Sequence, residues 1–160
     1  MSILLKPIGI IHSPFADPKS MPIQPVSANS AAGRVEVFPD FKDGLKDLEG
    51  FSHLVLLYHF HRSRAYSLSV TPYLDTEPRG LFATRAPNRP NPIGLSLVRL
   101  VRIVGSDLQV ENIDVLDGTP LLDIKPHVPE FDCAPGARTG WFEKAAADMR
   151  TKVADDRFHR

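Results

Sequence analysis

The chain has 160 residues, with 19 Lys+Arg balanced by 19 Asp+Glu and a formal net charge of zero. That length suits one domain with a sizeable core, and the neutral balance excludes a global basic field, so any polyanion must be held by a local patch. One cysteine, Cys133, excludes an intrachain disulfide framework and a multi-thiolate zinc site, while 15 prolines and 10 glycines weigh against a helical bundle. Cysteine usage of this kind points to a reducing, cytoplasmic setting. The first eleven residues are apolar but broken by Lys6, Pro7 and Gly9, and they lack the basic lead and cleavage site of a signal peptide. No apolar run approaches the ~20 residues that a membrane helix needs.

In chain order, Ile3–Ile11 reads as a strand, and His12-Ser13-Pro14 opens a loop. That loop, Asp17–Ala32, has no period and holds Pro22-Ile23-Gln24-Pro25, a proline-clamped piece with backbone donors at Ile23 and Gln24. Taken alone it is a surface loop. Gly33–Phe38 alternates, with Val35 and Val37 on one face. Asp40 is placed to cap a short helix carrying Phe41, Leu45 and Leu48 and ending at Gly50. Phe51–His61 is the strongest strand signal, with Leu54, Leu56, Tyr58 and Phe60 on one face and three histidines on the other. Those histidines would need a further ligand from elsewhere, and no carboxylate or cysteine stands at ligand spacing, which argues against a metal site. His61 and Arg62, at the strand's end, are open to a ligand.

Tyr66–Leu74 reads as an edge strand interrupted by Pro72. Gly80–Thr84 leads into Thr84–Gly94, where three prolines and two asparagines fix an irregular backbone around Arg85 and Arg89. A rigid loop carrying forked cationic donors suits an anion or nucleotide site. The alternative is a stiff crossover whose arginines cover apolar surface. Leu95–Val104 resumes as a strand with Leu95, Leu97, Val101 and Ile103 on one side, and Gly105-Ser106-Asp107 turns it into Leu108–Leu116. Asp117-Gly118-Thr119-Pro120 is a sharp turn before Leu121–Ile124. Gly140–Val153 closes the chain as an amphipathic helix. No Gly-rich phosphate loop, nucleophile elbow or βαβ alternation is present, so a doubly wound fold is disfavoured. The pattern predicts a mainly β protein, a small antiparallel β-barrel or sandwich with short helices and a C-terminal helix.

Several stretches together carry a resemblance. They are Ile8-Gly9-Ile10-Ile11-His12-Ser13-Pro14, Phe51-Ser52-His53-Leu54, Phe82-Ala83-Thr84-Arg85, Arg89-Pro90-Asn91-Pro92-Ile93-Gly94, and Asp117-Gly118-Thr119-Pro120 with Asp123-Ile124-Lys125-Pro126. Running in this order, they resemble the TsaA-like (YaeB, TrmO-type) family, which includes S-adenosyl-L-methionine-dependent tRNA methyltransferases. One departure is His127, where the family often has a tyrosine after Lys-Pro.

The resemblance implies one β-barrel domain over residues 1–160, with a core of about 5–130 and a helical extension at 139–154. It also implies a homodimer, with the cofactor near the subunit interface. Implied cofactor contacts are Pro22, Ile23 and Gln24, His61 and Arg62, Arg85, Leu95, and Asp117, Gly118, Thr119 and Pro120. The implied reaction is N6-methylation of N6-threonylcarbamoyladenosine at tRNA position 37, with His61 and Asp117 as candidate proton acceptors. Arg34, Arg62, Arg64, Arg79, Arg85, Arg89, Arg99 and Arg102 are candidates for a phosphate patch. Two other readings stay open: methylation of another nucleotide or small molecule, and a non-catalytic nucleotide-binding module.

Overall fold

Period-two alternation, interrupted by proline- and glycine-rich connections, sets eight strands in the computed structural model, which describes residues 2–17 and 31–144. They are β1 (Gly9–His12), β2 (Ala32–Val37), β3 (His53–His59), β4 (Ser69–Val70), β5 (Arg79–Gly80), β6 (Ile93–Val104), β7 (Asp107–Glu111) and β8 (Thr119–Pro126). Six of them close an antiparallel barrel in the order β1-β2-β7-β6-β3-β8, and β4 and β5 pair only with each other. Closure leaves the barrel with no free edge.

The barrel fills its own lumen. Leu54, Leu56 and Tyr58 point inward from β3, as do Val98 and Leu100 from β6 and Val35 and Val37 from β2. Each such aliphatic side chain contributes about 1.5–3 kcal/mol by leaving water. Gly105, at φ 66°, makes the expected tight β6–β7 turn.

Several elements differ from the sequence expectation. The segment expected as an Asp40-capped helix is two 3-10 pieces, Pro39–Leu45 and Leu48–Gly50, broken at Asp47 with φ 67°. Its N-cap is Phe38, without a side-chain bond, because Pro39 takes the first helical position. The apolar stripe of Phe41, Leu45 and Leu48 still packs against the core. Of Tyr66–Leu74 only Ser69–Val70 is strand.

On β6 a bulge between Leu100 and Arg102 separates Ile103 from Leu95, Leu97 and Val101. Those three face out, whereas Ile103 turns back to the core. β7 stops at Glu111 because Asn112 turns left-handed, φ 64°, and Ile113, Asp114 and Val115 enter the barrel end together. The C-terminal helix expected over Gly140–Val153 begins as a 3-10 turn, Gly140–Lys144, and the rest lies outside the described residues. A one-turn helix, Pro129–Asp132, was not anticipated.

Candidate functional site

Antiparallel register decides where the loops go. β1, β3 and β7 end, and β2, β6 and β8 begin, at the same end of the barrel. The β3–β6 and β7–β8 connections and residues 13–17 after β1 therefore meet there, although they are far apart in sequence. A broad depression lined by Lys42, Lys46, Glu49 and Ile103 opens beside the other end, and it holds none of the expected site residues.

The β3–β6 crossover is stiffened from within. Arg89 donates from Nη1 to the carbonyls of Thr84 at 2.9 Å, Ala86 at 3.3 Å and Leu81 at 3.5 Å, and its guanidinium lies 5.8 Å from the Phe82 ring centre. The buried Asn88 side chain accepts from Ser63 Oγ at 3.0 Å and from the Arg64 backbone N–H at 3.2 Å. This ties the turn that carries His61 and Arg62 to the loop that carries Arg85. Arg89 is thus a brace. Arg85 is exposed and makes no hydrogen bond or ion pair among the described residues.

The Asp117–Pro120 turn is not a hairpin, because β7 and β8 are not neighbours in the barrel. It crosses the barrel end, with Gly118 at φ 75°, a conformation that favours glycine. Asp117 Oδ1 accepts from the Ser13 N–H at 3.0 Å, and the Gly118 N–H donates to the Ile11 carbonyl at 2.9 Å. Thr119 is buried and donates to the Leu116 carbonyl at 2.7 Å, while its Oγ1 lies 3.4 Å from His61 Nδ1. Arg62 Nη1 donates to the Ala16 carbonyl at 3.3 Å. His61, Arg62, Asp117, Gly118 and Thr119 are therefore brought together. Partial desolvation, then the charges of Arg62 and His59, hold the His61 imidazole below its ordinary pKa and so neutral at pH 7.

A buried polar chain joins β3, β6 and the segment that follows β7. Tyr58 from β3 and Ser96 from β6 pair through their hydroxyls at 2.9 Å, and Ser96 Oγ donates to Asp114 Oδ1 at 2.5 Å. Asp114 is 8% exposed. Burial pushes its carboxyl up to about 7, against the lowering effects of the Ser96 hydrogen bond and the Arg85 charge. Burial and the Asp114 charge also push the Tyr58 phenol well up. Sequence reasoning missed this chain. Its signal was a serine in the inward phase Gly94-Ser96-Val98-Leu100, with a tyrosine inward on β3.

The other expected residues separate. Leu95 is 47% exposed on the outer wall of β6, where it pairs with Leu57 and faces away from the lumen. Pro120 is half-buried on the outward phase of β8. Pro22, Ile23 and Gln24 lie outside the described residues. Of the candidate phosphate-binding arginines, Arg34 pairs with Asp107, Arg79 with Asp75 and Arg99 with Glu111, while Arg102 bonds Gln109. Arg62, Arg64 and Arg85 remain on the loop side of the barrel. Among the described residues no group of three His, Cys, Asp or Glu is placed to hold a metal.

The donor set suits an adenosyl amino acid. Arg85 offers a two-pronged match to a carboxylate, and Asp117 is an acceptor suited to ribose hydroxyls or an ammonium group.

Residues 10–133 match the tRNA-methyltransferase O N-terminal domain. A probable S-adenosyl-L-methionine-binding protein of Pyrococcus abyssi is 55% identical over 158 residues, covering 99% of this chain and 86% of that protein. The tRNA (adenine(37)-N6)-methyltransferase of Escherichia coli is 37% identical, over 92% of this chain and 68% of that one. The crystal structure of TrmO from Pseudomonas aeruginosa superposes with a TM-score of 0.75 at 41% identity, over 88% of this chain and 63% of that chain. The chain thus spans less than two thirds of that solved protein.

Proposed function

This chain belongs to the tRNA-methyltransferase O N-terminal domain family, and on that premise we propose that it is an S-adenosyl-L-methionine-dependent tRNA methyltransferase acting on N6 of adenine 37. The modified form of that adenine, N6-threonylcarbamoyladenosine, is the substrate whose chemistry fits best. Its N6–H is acidified by the adjoining carbamoyl group, so a modest base suffices. The observation that carries the reading is Arg85: an exposed guanidinium with no hydrogen bond or ion pair among the described residues, on a braced loop at the same barrel end as the Asp117–Thr119 turn.

The cofactor supplies a methyl group activated on a sulfonium, and the protein's task is mainly to hold two reactants in line about 3–3.5 Å apart. Arg85 receives the cofactor's carboxylate, and Asp117 takes a ribose or ammonium contact. Thr119 Oγ1 already donates to Leu116, so it can only accept from His61 Nδ1–H. That selects the tautomer whose Nε2 carries the free lone pair. With the imidazole held neutral, His61 is the better of the two proton acceptors for N6–H. Asp117 already accepts from Ser13.

The RNA is received on the crossover. Phe82 is 73% exposed three residues before Arg85, a ring on which an unstacked anticodon-loop base can lie. Purified protein is expected to transfer a labelled methyl group from S-adenosyl-L-methionine to tRNA carrying N6-threonylcarbamoyladenosine. Phe82→Ala should raise KM for that tRNA about 5- to 150-fold, from the ~1–3 kcal/mol of one base–aromatic stack, with cofactor affinity unchanged. No transfer to any tRNA pool would sink the reading.

The functional unit is a cytoplasmic homodimer joined through the outer wall of β6. Ile93, Leu95, Leu97 and Val101 are exposed there beside half-buried Val55 and Leu57, an apolar face that a second copy covers. On this reading Leu95, implied by the resemblance as a cofactor contact, lies at the subunit interface. Light scattering is expected to give twice the chain mass for the native protein and the single-chain mass for Leu97→Arg; a native monomer would refute it. Among the described residues no helix is long and apolar enough to cross a membrane.

A further inference from the structure

Ionisable side chains on the outward face of β7, β2 and β1 form a chain that ends on the Asp117 turn. Arg34 Nη1 donates to Asp107 Oδ1 at 3.0 Å and reaches Glu36 Oε2 at 3.4 Å, and Glu36 Oε2 lies 2.9 Å from His12 Nε2. The second ring nitrogen of His12, Nδ1, stands at ion-pair distance, 3.6 Å, from Asp117 Oδ1. The Arg34 contacts join neighbouring strands and serve the barrel wall alone. His12 differs. It is the last residue of β1, and it turns its second nitrogen out of the sheet toward a loop.

The backbone of the turn is tied down without His12. The Gly118 N–H donates to the Ile11 carbonyl and the Asp117 N–H to the Phe15 carbonyl, both at 2.9 Å. Those bonds leave the Asp117 carboxylate free to rotate. Two groups act on its Oδ1, the Ser13 N–H at 3.0 Å and His12 Nδ1, while among the described residues no hydrogen bond reaches Oδ2. One oxygen is held from the barrel side, and the other, on a half-exposed side chain, is left for a ligand.

We propose that His12 is a positioning residue for Asp117: braced by Glu36, it fixes Oδ1 so that Oδ2 is presented to the cofactor. The inference rests on the assignment of Asp117 as a cofactor contact given above. Both neighbours of the ring are carboxylates, which only accept, so making both contacts takes both ring N–H groups. Glu36 suits the bracing role. Its hydrogen bond with His12, then the Arg34 charge, hold its carboxyl below the ordinary value against partial burial, so it is ionised at neutral pH.

Two amides separate the two nitrogens. An asparagine amide reaches about as far as Nδ1 and a glutamine amide about as far as Nε2. His12→Asn therefore keeps a donor toward Asp117, and His12→Gln keeps one toward Glu36. Calorimetry with S-adenosyl-L-methionine is run at pH 6, to favour the doubly protonated ring, with thermal unfolding of each variant alongside. His12→Ala and His12→Gln should each weaken binding about 3- to 10-fold, the size of a coupling between side chains in contact. His12→Asn should recover most of that loss, and in an Asp117→Ala background His12→Ala should cost nothing more. A role confined to the barrel wall reverses the order, because only glutamine keeps the Glu36 pair. If Asp117→Ala alone binds as wild type, the assignment of Asp117 itself falls. If Asp117→Ala loses affinity but His12→Asn binds no better than His12→Gln, only the positioning role falls.

Discussion

Arg85→Ala is expected to weaken S-adenosyl-L-methionine binding by at least about 30-fold at pH 8, and a titration by calorimetry should show this with the fold intact. The magnitude comes from the ~2–5 kcal/mol lost when one partner of a desolvated, hydrogen-bonded charge pair is truncated. The fold should survive because Arg85 makes no hydrogen bond among the described residues. Arg89→Ala is the matched contrast. Its guanidinium supplies the carbonyls of Leu81, Thr84 and Ala86, so its loss should cost about 1–3 kcal/mol of stability. Cofactor affinity should change little. Equal losses of affinity in the two variants would mean that the loop contributes rigidity alone and that Arg85 does not touch the cofactor.

Gly94→Ala should be strongly destabilising. Gly94 is buried on the inward phase of β6, directly across from Tyr58, whose ring lies over its Cα. A Cβ there would fall against Cε2 and 2.5 Å from Cζ of that ring, with no flexible end to give way. The ring must move, and with it the hydroxyl that Ser96 accepts. Overpacking of this kind costs about 3 kcal/mol or more, a fall in Tm of roughly 10 °C for a chain of this size. Thermal unfolding followed by circular dichroism measures it directly. A Tm within two or three degrees of wild type would show that the Tyr58 ring has another place to go.

Local pattern was enough to read the barrel's walls. The alternation through Leu54-Leu56-Tyr58 and through Val35-Val37 depends only on which neighbours share a face, and these residues line the lumen as expected. The closing of the strands into a barrel, by contrast, depends on pairings such as Ile11 with Thr119, which no local window contains. The β6 phase was read only in part, because the bulge at Val101 moves Ile103 to the other face without any turn residue to announce it.

At the site, Arg85, His61 and the Asp117 turn were visible because proline and glycine mark rigid backbone. Asp114 was not, since its burial follows from the left-handed turn at Asn112 rather than from anything at position 114. Leu95 came from resemblance alone. Its outward orientation shows why: within one chain it is merely an exposed leucine.

The bond from the Ser13 N–H to Asp117 Oδ1 joins residues 104 positions apart. Such a contact closes only after nearly the whole chain has been threaded, so the entropy of that long loop is met before the contact can contribute. No fragment ending before β8 contains the assembled site, because Thr119 opens β8 and pairs with Ile11 of β1. Recognition here is tied to completion of the fold: the ligand's contacts exist only where the first strand and β8 have already met.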